Sequence, residues 1–250
     1  MNIKLSKTKK AFAELLILLF LQCSFSYAQI RTNPYDFPFK PSSNEWSSLK
    51  SYEDKRKACQ IPDSVLKSIN TIALVETYLA YPLLGDLMVF RTPQEGFNKL
   101  KINFNGVAEM LLRNDIGVTL LKKYNSMKAM LLEGSPNFSR GEYSFKMQAI
   151  EILFSQIEIL RSLNVTERKE LMQVAVNHLI DKQTNYDLYG LNSQYISAWL
   201  IVRILKLENY HFELLIEKDP KSLFIDEGLH PEENLIHDIL LYGKSFLSKN

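Results

Sequence analysis

The chain has 250 residues, of which 46% are hydrophobic, and its 30 lysine and arginine residues nearly balance 28 aspartate and glutamate residues. This length supports one sizeable apolar core or two small ones. The net charge of +2 excludes a strongly basic chain of the nucleic-acid-binding type. Nine glycines and few alternating apolar runs argue against a β-rich fold.

The first 28 residues have the layout of a cleaved secretory signal peptide. Four lysines between Lys4 and Lys10 form a positive segment, an apolar run follows over 11–21, and small residues stand at −3 and −1 of a cleavage site after Ala28. We therefore predict a signal peptide over 1–28 and a secreted or periplasmic mature protein.

Two alternatives keep the chain at a membrane. A retained anchor needs roughly 20 apolar residues, about twice the length of this run, and Glu14 lies inside it. Lipidation at Cys23 would give a lipid-anchored surface protein, although Gln22 fits the position before a lipidated cysteine poorly. The sequence predicts no transmembrane helix in the mature chain.

Cleavage changes the charge and the cysteine content. Removing 1–28 removes four lysines and one glutamate, which leaves 26 basic and 27 acidic residues and a net charge of −1. We therefore expect no nucleic-acid partner. Cys59 is then the one cysteine left in the sequence, so the mature chain has no intramolecular disulfide, and we interpret Cys59 as a small buried apolar residue.

Short helices are predicted for the first part of the mature chain. Residues 29–43 form an irregular, proline-rich lead-in whose aromatic side chains dock on the domain, unless the segment is partly mobile. A helix over 44 to about 59 follows, Pro62 starts a second helix and Asn70 caps a third. Residues 83–90 predict a short buried helix.

The middle of the chain continues in helices up to one clear loop. Thr92 predicts a capped helix start, Asn105 predicts an interruption, and Asn114 is expected to cap the helix that follows. The turn-forming residues over 134–141 predict the loop.

Longer helices are predicted for the second half. One amphipathic helix spans 142–163, and Asn164 begins the next helix with the spacing of a capping box. A polar turn is expected over 185–192, a central helix that is apolar nearly all round over 193–207, and a last helix over about 231–247.

The predicted fold is therefore all-α, with a single helical domain over 44–250. Successive helices joined by short loops favour either a compact multi-helix bundle or a short, solenoid-like array of α-hairpins. No convincing repeat of fixed period selects the array.

The last helix carries the candidate metal ligands. His230, Glu233 and His237 stand at i, i+3 and i+7, so they share one helix face. Imidazole and carboxylate bind zinc or iron, but the pattern is neither H-E-x-x-H nor E-x-x-H, and three ligands are too few for a closed site. The structural interpretation is a helix start at which acidic residues complement the positive end of the helix dipole.

Other catalytic patterns are missing from the sequence. It contains no G-x-S-x-G motif and no glycine-rich phosphate loop. His178, on the apolar side of its helix, is interpreted as a core or boundary histidine because no nucleophile can be placed beside it. The sequence indicates no cofactor.

Tyrosines offer the candidate binding surface. Tyrosine combines an apolar body with a polar tip, so Tyr186, Tyr189 and Tyr195 are candidates for the lining of a groove, with ordinary packing as the alternative.

Several short patterns resemble those of a family of uncharacterised secreted bacterial all-helical proteins of unknown function. The matching residues are Cys59-Gln60-Ile61-Pro62, Tyr81-Pro82, Phe104-Asn105-Gly106, Arg113 and Leu120-Leu121 with Tyr124. The resemblance covers less than half of the chain and implies no activity. It indicates helix breaks and a turn more than a site.

The leading interpretation is an exported, non-enzymatic helical protein that binds another protein or another extracytoplasmic macromolecule, or that has a structural role. One alternative is a secreted hydrolase or metalloenzyme using His230, Glu233 and His237, and another is a lipid-anchored surface protein through Cys23. The oligomeric state stays open.

Overall fold

The computed structural model describes residues 30–128, 136–219, 221, 223–231 and 233–249. The predicted leader, with Cys23 and the cleavage site after Ala28, lies outside these residues. Within them the chain is helical apart from turns and connecting segments, and its one β interaction is an isolated parallel bridge between Arg31 and Ile69. The all-α prediction is confirmed.

Short helices make up the first part of the described chain. They are α1 Asn44–Ser48, α2 Tyr52–Ala58, α3 Asp63–Ser68, α4 Thr71–Leu79, a 3₁₀ helix Leu84–Met88, α5 Pro93–Asn103, α6 Asn105–Met110 and α7 Ile116–Ser126. The second part contains the longer helices. They are α8 Asn137–Phe154, α9 Ile157–Ser162, α10 Val165–Thr184, α11 Tyr186–Leu207, α12 Phe212–Lys218, α13 Leu223–Glu227 and α14 Glu233–Lys249.

The single helix predicted from 44 to about 59 is wrong, because the chain forms two helices there. Leu49 leaves the helical conformation after α1. Ser51 then opens α2 with a capping box, in which its hydroxyl accepts a hydrogen bond from the Asp54 N–H and the Asp54 carboxylate accepts one from the Ser51 N–H. This pair satisfies backbone donors that a helix start otherwise leaves without partners, so a second helix begins at low cost.

The cap predictions have mixed outcomes. Asn70 and Thr92 accept hydrogen bonds from the third backbone N–H after them, as predicted. Asn114 does not cap α7, because Asp115 occupies the N-cap position. The Asp115 carboxylate makes no cap of its own and instead accepts a hydrogen bond from the Thr71 hydroxyl at 2.7 Å. A contact with a distant helix has therefore replaced the local cap.

Aromatic side chains fix the lead-in to the domain. Phe37 is buried, and its ring stands edge-on to Tyr35 and to Tyr81. Tyr81 in turn stacks on Phe104 with ring centroids 4.0 Å apart. The backbone N–H of Tyr35 donates to the Thr77 hydroxyl. The docked alternative for this segment is confirmed at these residues.

The helix predicted over 142–163 is wrong at both ends. It begins earlier, at Asn137, so the described part of the predicted loop at 134–141 is helical from that residue onward. It ends at Phe154, where Gln156 turns to an extended conformation before α9. The Ser155 carbonyl at this break accepts a hydrogen bond from Arg203 Nε at 2.9 Å. A side chain of α11 therefore stabilises the break that the periodicity of the sequence did not show.

α11 is the centre of the second half. It packs against α8, α10 and α14, and Trp199 near its middle is fully buried. The predicted capping box of Asn164 and Glu167 opens α10, and the predicted burial of 193–207 is confirmed for most of that segment. Arg31–Asn250 form one compact unit. Within the described residues, no helix combines the length and apolarity needed to cross a bilayer.

Candidate functional site

A cleft of about 520 Å³ opens beside the N-terminal part of α11. Four segments form its walls: the 3₁₀ helix with the residues after it, α8, the start of α11, and the connection between α13 and α14. The lining residues are Leu87, Met88, Phe90, Arg91, Pro93, Phe145, Gln148, Tyr189, Gly190, Leu191, Asn192, Tyr195, Ile196, Gly228 and His230. We call this feature the tyrosine cleft, after Tyr189 and Tyr195.

The cleft exists because α11 is broken at Gly190. This residue has φ 68° and ψ 175°, a combination that essentially only glycine adopts. The predicted polar turn around this glycine is therefore a kink of one residue within a longer helical stretch. The kink separates the first turn, which carries Tyr189, from the main helix, which carries Tyr195, and both side chains line the cleft.

A second glycine allows the α13–α14 connection, another wall of the cleft, to approach the domain closely. Gly228 has φ +72°, and a Cβ atom there would lie 2.9 Å from Trp199 Cδ2 and 3.1 Å from Pro93 Cγ. A larger residue would therefore push the α13–α14 connection away from the domain. The close approach places His230 at the cleft, where its ring meets the Tyr195 ring edge-on with centroids 4.9 Å apart.

The lining combines an apolar body with a few polar groups. Aromatic and aliphatic side chains predominate, and the polar side chains besides the two tyrosine hydroxyls are Arg91, Gln148, Asn192 and His230. Among the residues that the structure describes, the lining contains no aspartate, glutamate, serine, threonine or cysteine. The volume of the cleft lies in the range of small-molecule sites, and such sites have a lining of this composition.

A second polar cluster lies inside the protein. Glu151 of α8 and Lys182 of α10 form an ion pair of 2.7 Å, and both side chains are fully buried. The other Glu151 oxygen accepts hydrogen bonds from the hydroxyls of Tyr124 and Ser197, each at 2.6 Å. Lys182 also donates to the Ser193 carbonyl at 3.2 Å. We call Glu151, Lys182, Tyr124 and Ser197 the buried ion-pair network.

Burial dominates the electrostatics of this network. Desolvation lowers the pKa of Lys182, and the Glu151 charge opposes that shift. Desolvation together with the Glu151 charge raises the pKa of Tyr124 well above its usual value, so the phenol stays protonated and donates to the carboxylate. Each charge has its partners within the protein, so the network stabilises one packing arrangement of α8, α10 and α11.

Tyr189 is shared by the two features. Its ring lines the tyrosine cleft and also lies over Lys182, with Nζ 5.8 Å from the ring centroid. Its side chain is 5% exposed, and its hydroxyl is 3.4 Å from the Asp181 carboxylate. The tyrosine wall of the cleft is therefore built directly on the helix that carries the buried lysine.

Two of the three predicted binding tyrosines line the cleft. Tyr189 and Tyr195 lie together at the cleft, whereas Tyr186 is 54% exposed and is not part of the lining.

Two other residues discussed above occupy buried positions. Cys59 is fully buried as an unpaired cysteine, and burial raises the pKa of its thiol to about 11. His178 is buried with Nε2 3.1 Å from the Tyr124 carbonyl, as interpreted from the sequence.

The predicted metal ligands have different surroundings. His230 lines the cleft, Glu233 is the first residue of α14, and His237 is exposed on that helix. No group of three His, Cys, Asp or Glu side chains placed to hold a metal ion occurs among the described residues. Metal binding by His230, Glu233 and His237 stays an untested prediction.

The sequence did contain a pattern that indicates the buried ion-pair network. Glu151 stands four residues after the buried Met147, and Lys182 stands four residues after the buried His178. Each charge therefore falls on the core face of its helix. A charged residue at a core position requires a partner, but the sequence does not say which one.

Comparisons of this chain with protein-family models, with curated proteins and with solved structures gave no match. The function is therefore argued from the geometry of the cleft, and the family resemblance of the sequence remains an expectation.

Proposed function

We propose that this protein is exported and acts as a binding protein whose tyrosine cleft takes a small organic ligand. The observation that carries the proposal is the cleft itself, with a volume of about 520 Å³ and Tyr189 and Tyr195 side by side in its lining. Aromatic rings supply a large apolar contact area, and a few polar groups fix the orientation of the ligand.

Binding fits the lining better than catalysis does. Nucleophilic catalysis needs a hydroxyl, thiol, amine or carboxylate beside a base. Of such groups, the described lining residues offer only tyrosine hydroxyls and one imidazole. Burial raises the pKa of Tyr189, which makes its phenol a weaker nucleophile still at neutral pH. Glu151 and Lys182 have the chemistry of catalytic groups, but both are fully buried and paired with each other.

The first test asks whether the cleft binds an apolar probe. The dye N-phenyl-1-naphthylamine becomes fluorescent in apolar surroundings. We expect it to bind to the purified protein with a stoichiometry of one dye molecule per chain. Tyr195→Ala removes part of the cleft wall. It should raise the dissociation constant of the dye about tenfold, which is equivalent to about 1.4 kcal/mol of binding free energy. Tyr242→Ala is the matched control, since Tyr242 is a half-buried tyrosine stacked on His211 away from the cleft lining.

A second variant tests the cleft by filling it. Asn192 is exposed and lines the cleft, so Asn192→Trp adds bulk there without disturbing the core. Gln183→Trp adds the same ring at an exposed position of α10 outside the lining. Dye binding that survives Asn192→Trp and Tyr195→Ala unchanged would show that the cleft is not the binding site, and the proposal would fail.

Export is tested separately by the intact mass of the protein recovered from outside the cytoplasm. The mass of a chain that begins at Gln29 supports cleavage after Ala28. A mass that begins at a lipidated Cys23 would replace the secreted protein by a lipid-anchored one, and the full-length mass would contradict export by a cleaved leader.

A further inference from the structure

We infer that the ligand of the tyrosine cleft is an organic anion with an aromatic or aliphatic body and a single acidic group such as a carboxylate. Arg91 and His230 receive the acidic group, and the tyrosines with Phe145 receive the body. This inference rests on the proposed function and adds the class of ligand to it.

The charge of the lining favours an anion. Among the described lining residues, Arg91 is the one formally charged side chain. His230 adds an imidazole, whose ring N–H donates to an anion. A described lining whose one charge is a cation favours an anion over a neutral or cationic ligand.

Arg91 is available to a ligand. Four arginines of the described chain are held by acidic partners, with Arg56 on Glu53, Arg113 on Glu109, Arg168 on Glu208 and Arg203 on Asp226. Arg31, Arg140 and Arg161 form no ion pair with a described residue, but none of them is among the described lining residues of the cleft. Arg91 forms no ion pair with any described residue, and it is exposed. Its guanidinium presents donors in a planar fork that matches a carboxylate. No charge in the described structure competes with a ligand for it by direct contact.

The acidic residue next to Gly228 in the sequence is directed away from the cleft. Glu227 precedes Gly228, and its carboxylate accepts a hydrogen bond from the Thr92 hydroxyl at 3.2 Å. Thr92 itself caps α5 through its hydroxyl. Glu227 is thus engaged at the start of α5 and is not part of the cleft lining.

The polar and apolar parts of the cleft are formed by the same segments. His230 is held against Tyr195 by the edge-on ring contact, and the crowded Gly228 keeps the whole connection in place. Arg91 follows Phe90, so the cation and an aromatic ring reach the cleft from the same segment. A ligand with a compact acidic end and an apolar body satisfies both kinds of group at once, whereas a purely apolar ligand leaves the polar donors without partners.

Three probes that share one body test the inference. 4-Phenylbutyrate, 4-phenylbutanol and 4-phenylbutylamine carry the same phenylbutyl group with an anionic, a neutral and a cationic end. Each is titrated against the protein with N-phenyl-1-naphthylamine bound, and its displacing concentration is measured. We expect phenylbutyrate to displace the dye at about one tenth of the concentration that phenylbutanol needs, with the amine weakest. The advantage of the anion should shrink in 0.5 M salt, because Arg91 is exposed.

Variants connect the preference to its residues. Arg91→Gln should make phenylbutyrate and phenylbutanol equally effective, and His230→Gln should reduce the preference in part. Arg161→Gln is the matched control, since Arg161 is another exposed arginine outside the cleft lining. Circular dichroism checks that each variant is folded.

The outcomes separate the two proposals. Equal displacement by acid and alcohol in the natural protein, a preference for the amine, or an anion preference that survives Arg91→Gln would overturn the inference while leaving the cleft as a binding site. Dye binding that is unchanged by both Tyr195→Ala and Asn192→Trp would overturn the proposed function itself.

Discussion

The buried ion-pair network and the tyrosine cleft meet at Tyr189, yet their polar groups differ in whether they have partners within the protein. In the network, Glu151 and Lys182 have all their strong partners within the protein and are closed off from solvent. In the cleft, Arg91 and His230 line an open volume, and no carboxylate belongs to the described part of that lining. Polar groups satisfied by folding stabilise the fold, whereas polar groups left facing an open cleft are available to a ligand.

The largest expected effect comes from breaking the buried pair. Glu151→Leu leaves Lys182 as an uncompensated buried charge, and loss of one partner of such a pair costs about 3–5 kcal/mol of unfolding free energy. Urea denaturation followed by tryptophan fluorescence measures the loss. The double variant Glu151→Leu/Lys182→Met should recover most of it, because two apolar side chains need no ionic partner.

That recovery distinguishes a structural network from a functional one. Dye binding by the folded double variant should match that of the natural protein, since neither residue lines the cleft. A double variant as unstable as Glu151→Leu would contradict the role assigned to the pair, and an unstable double variant with lost dye binding would show that the two regions are not separable.

The next effect concerns the kink at Gly190, directly after Tyr189, the residue that both regions share. Gly190→Ala places a side chain at φ 68° and ψ 175°, and holding a residue in this region costs about 1–3 kcal/mol. A Cβ there meets no atom within 4 Å, so the cost is conformational and not steric. Urea denaturation should show this loss, and the dye should bind more weakly as the kink relaxes.

Gly141→Ala provides the control for that experiment. Gly141 lies inside α8 with no neighbour within 4 Å of an added Cβ, and its φ is not positive. Alanine at an exposed helical position stabilises by roughly 0.5–1 kcal/mol relative to glycine. Equal effects of the two substitutions would mean that the backbone at Gly190 carries no special strain for alanine.

The smallest effect is a pH dependence at the edge of the network. Burial lowers the pKa of His178 below its ordinary value near 6.5; Glu151 and Asp181 oppose the shift, and Lys182 adds to it. The unfolded chain therefore takes up a proton at higher pH than the folded protein does. This contribution to stability is complete well above pH 6.5 and falls as the pH drops through that value, by no more than about 1.4 kcal/mol at pH 5.5.

Urea denaturation at pH 7.5 and pH 5.5 measures this difference. His178→Gln should lose less stability between the two pH values, because the glutamine at position 178 does not titrate in this window. If the natural protein and the variant lose the same stability, the pH dependence comes from other groups.

The features of the fold that the sequence predicted are local ones. Asn70, Thr92 and Asn164 were identified as caps because a cap acts on backbone groups within three residues of it. The apolar content of 193–207 predicted burial because a helix that is apolar all round has no face to leave in solvent. Gly190 marked a turn because glycine adopts backbone conformations that other residues avoid.

The errors arise where distant residues compete with local preferences. The break after Phe154 depends on Arg203 of another helix, and the missing cap at Asn114 depends on Thr71 taking the neighbouring carboxylate. No pattern within a short segment carries such information, because the partners are 44 and 48 residues away.

The site shows the same division. Local patterns in the chain were enough to predict a helical fold, several of its boundaries, and the tyrosines and histidines available to a site. The packing of the helices was needed to bring Arg91, Tyr189, Tyr195 and His230 to one cleft and to enclose Glu151 and Lys182 in the core. Caps and periodicity act over a few residues, whereas a cleft and a buried ion pair form between segments that lie far apart in the sequence.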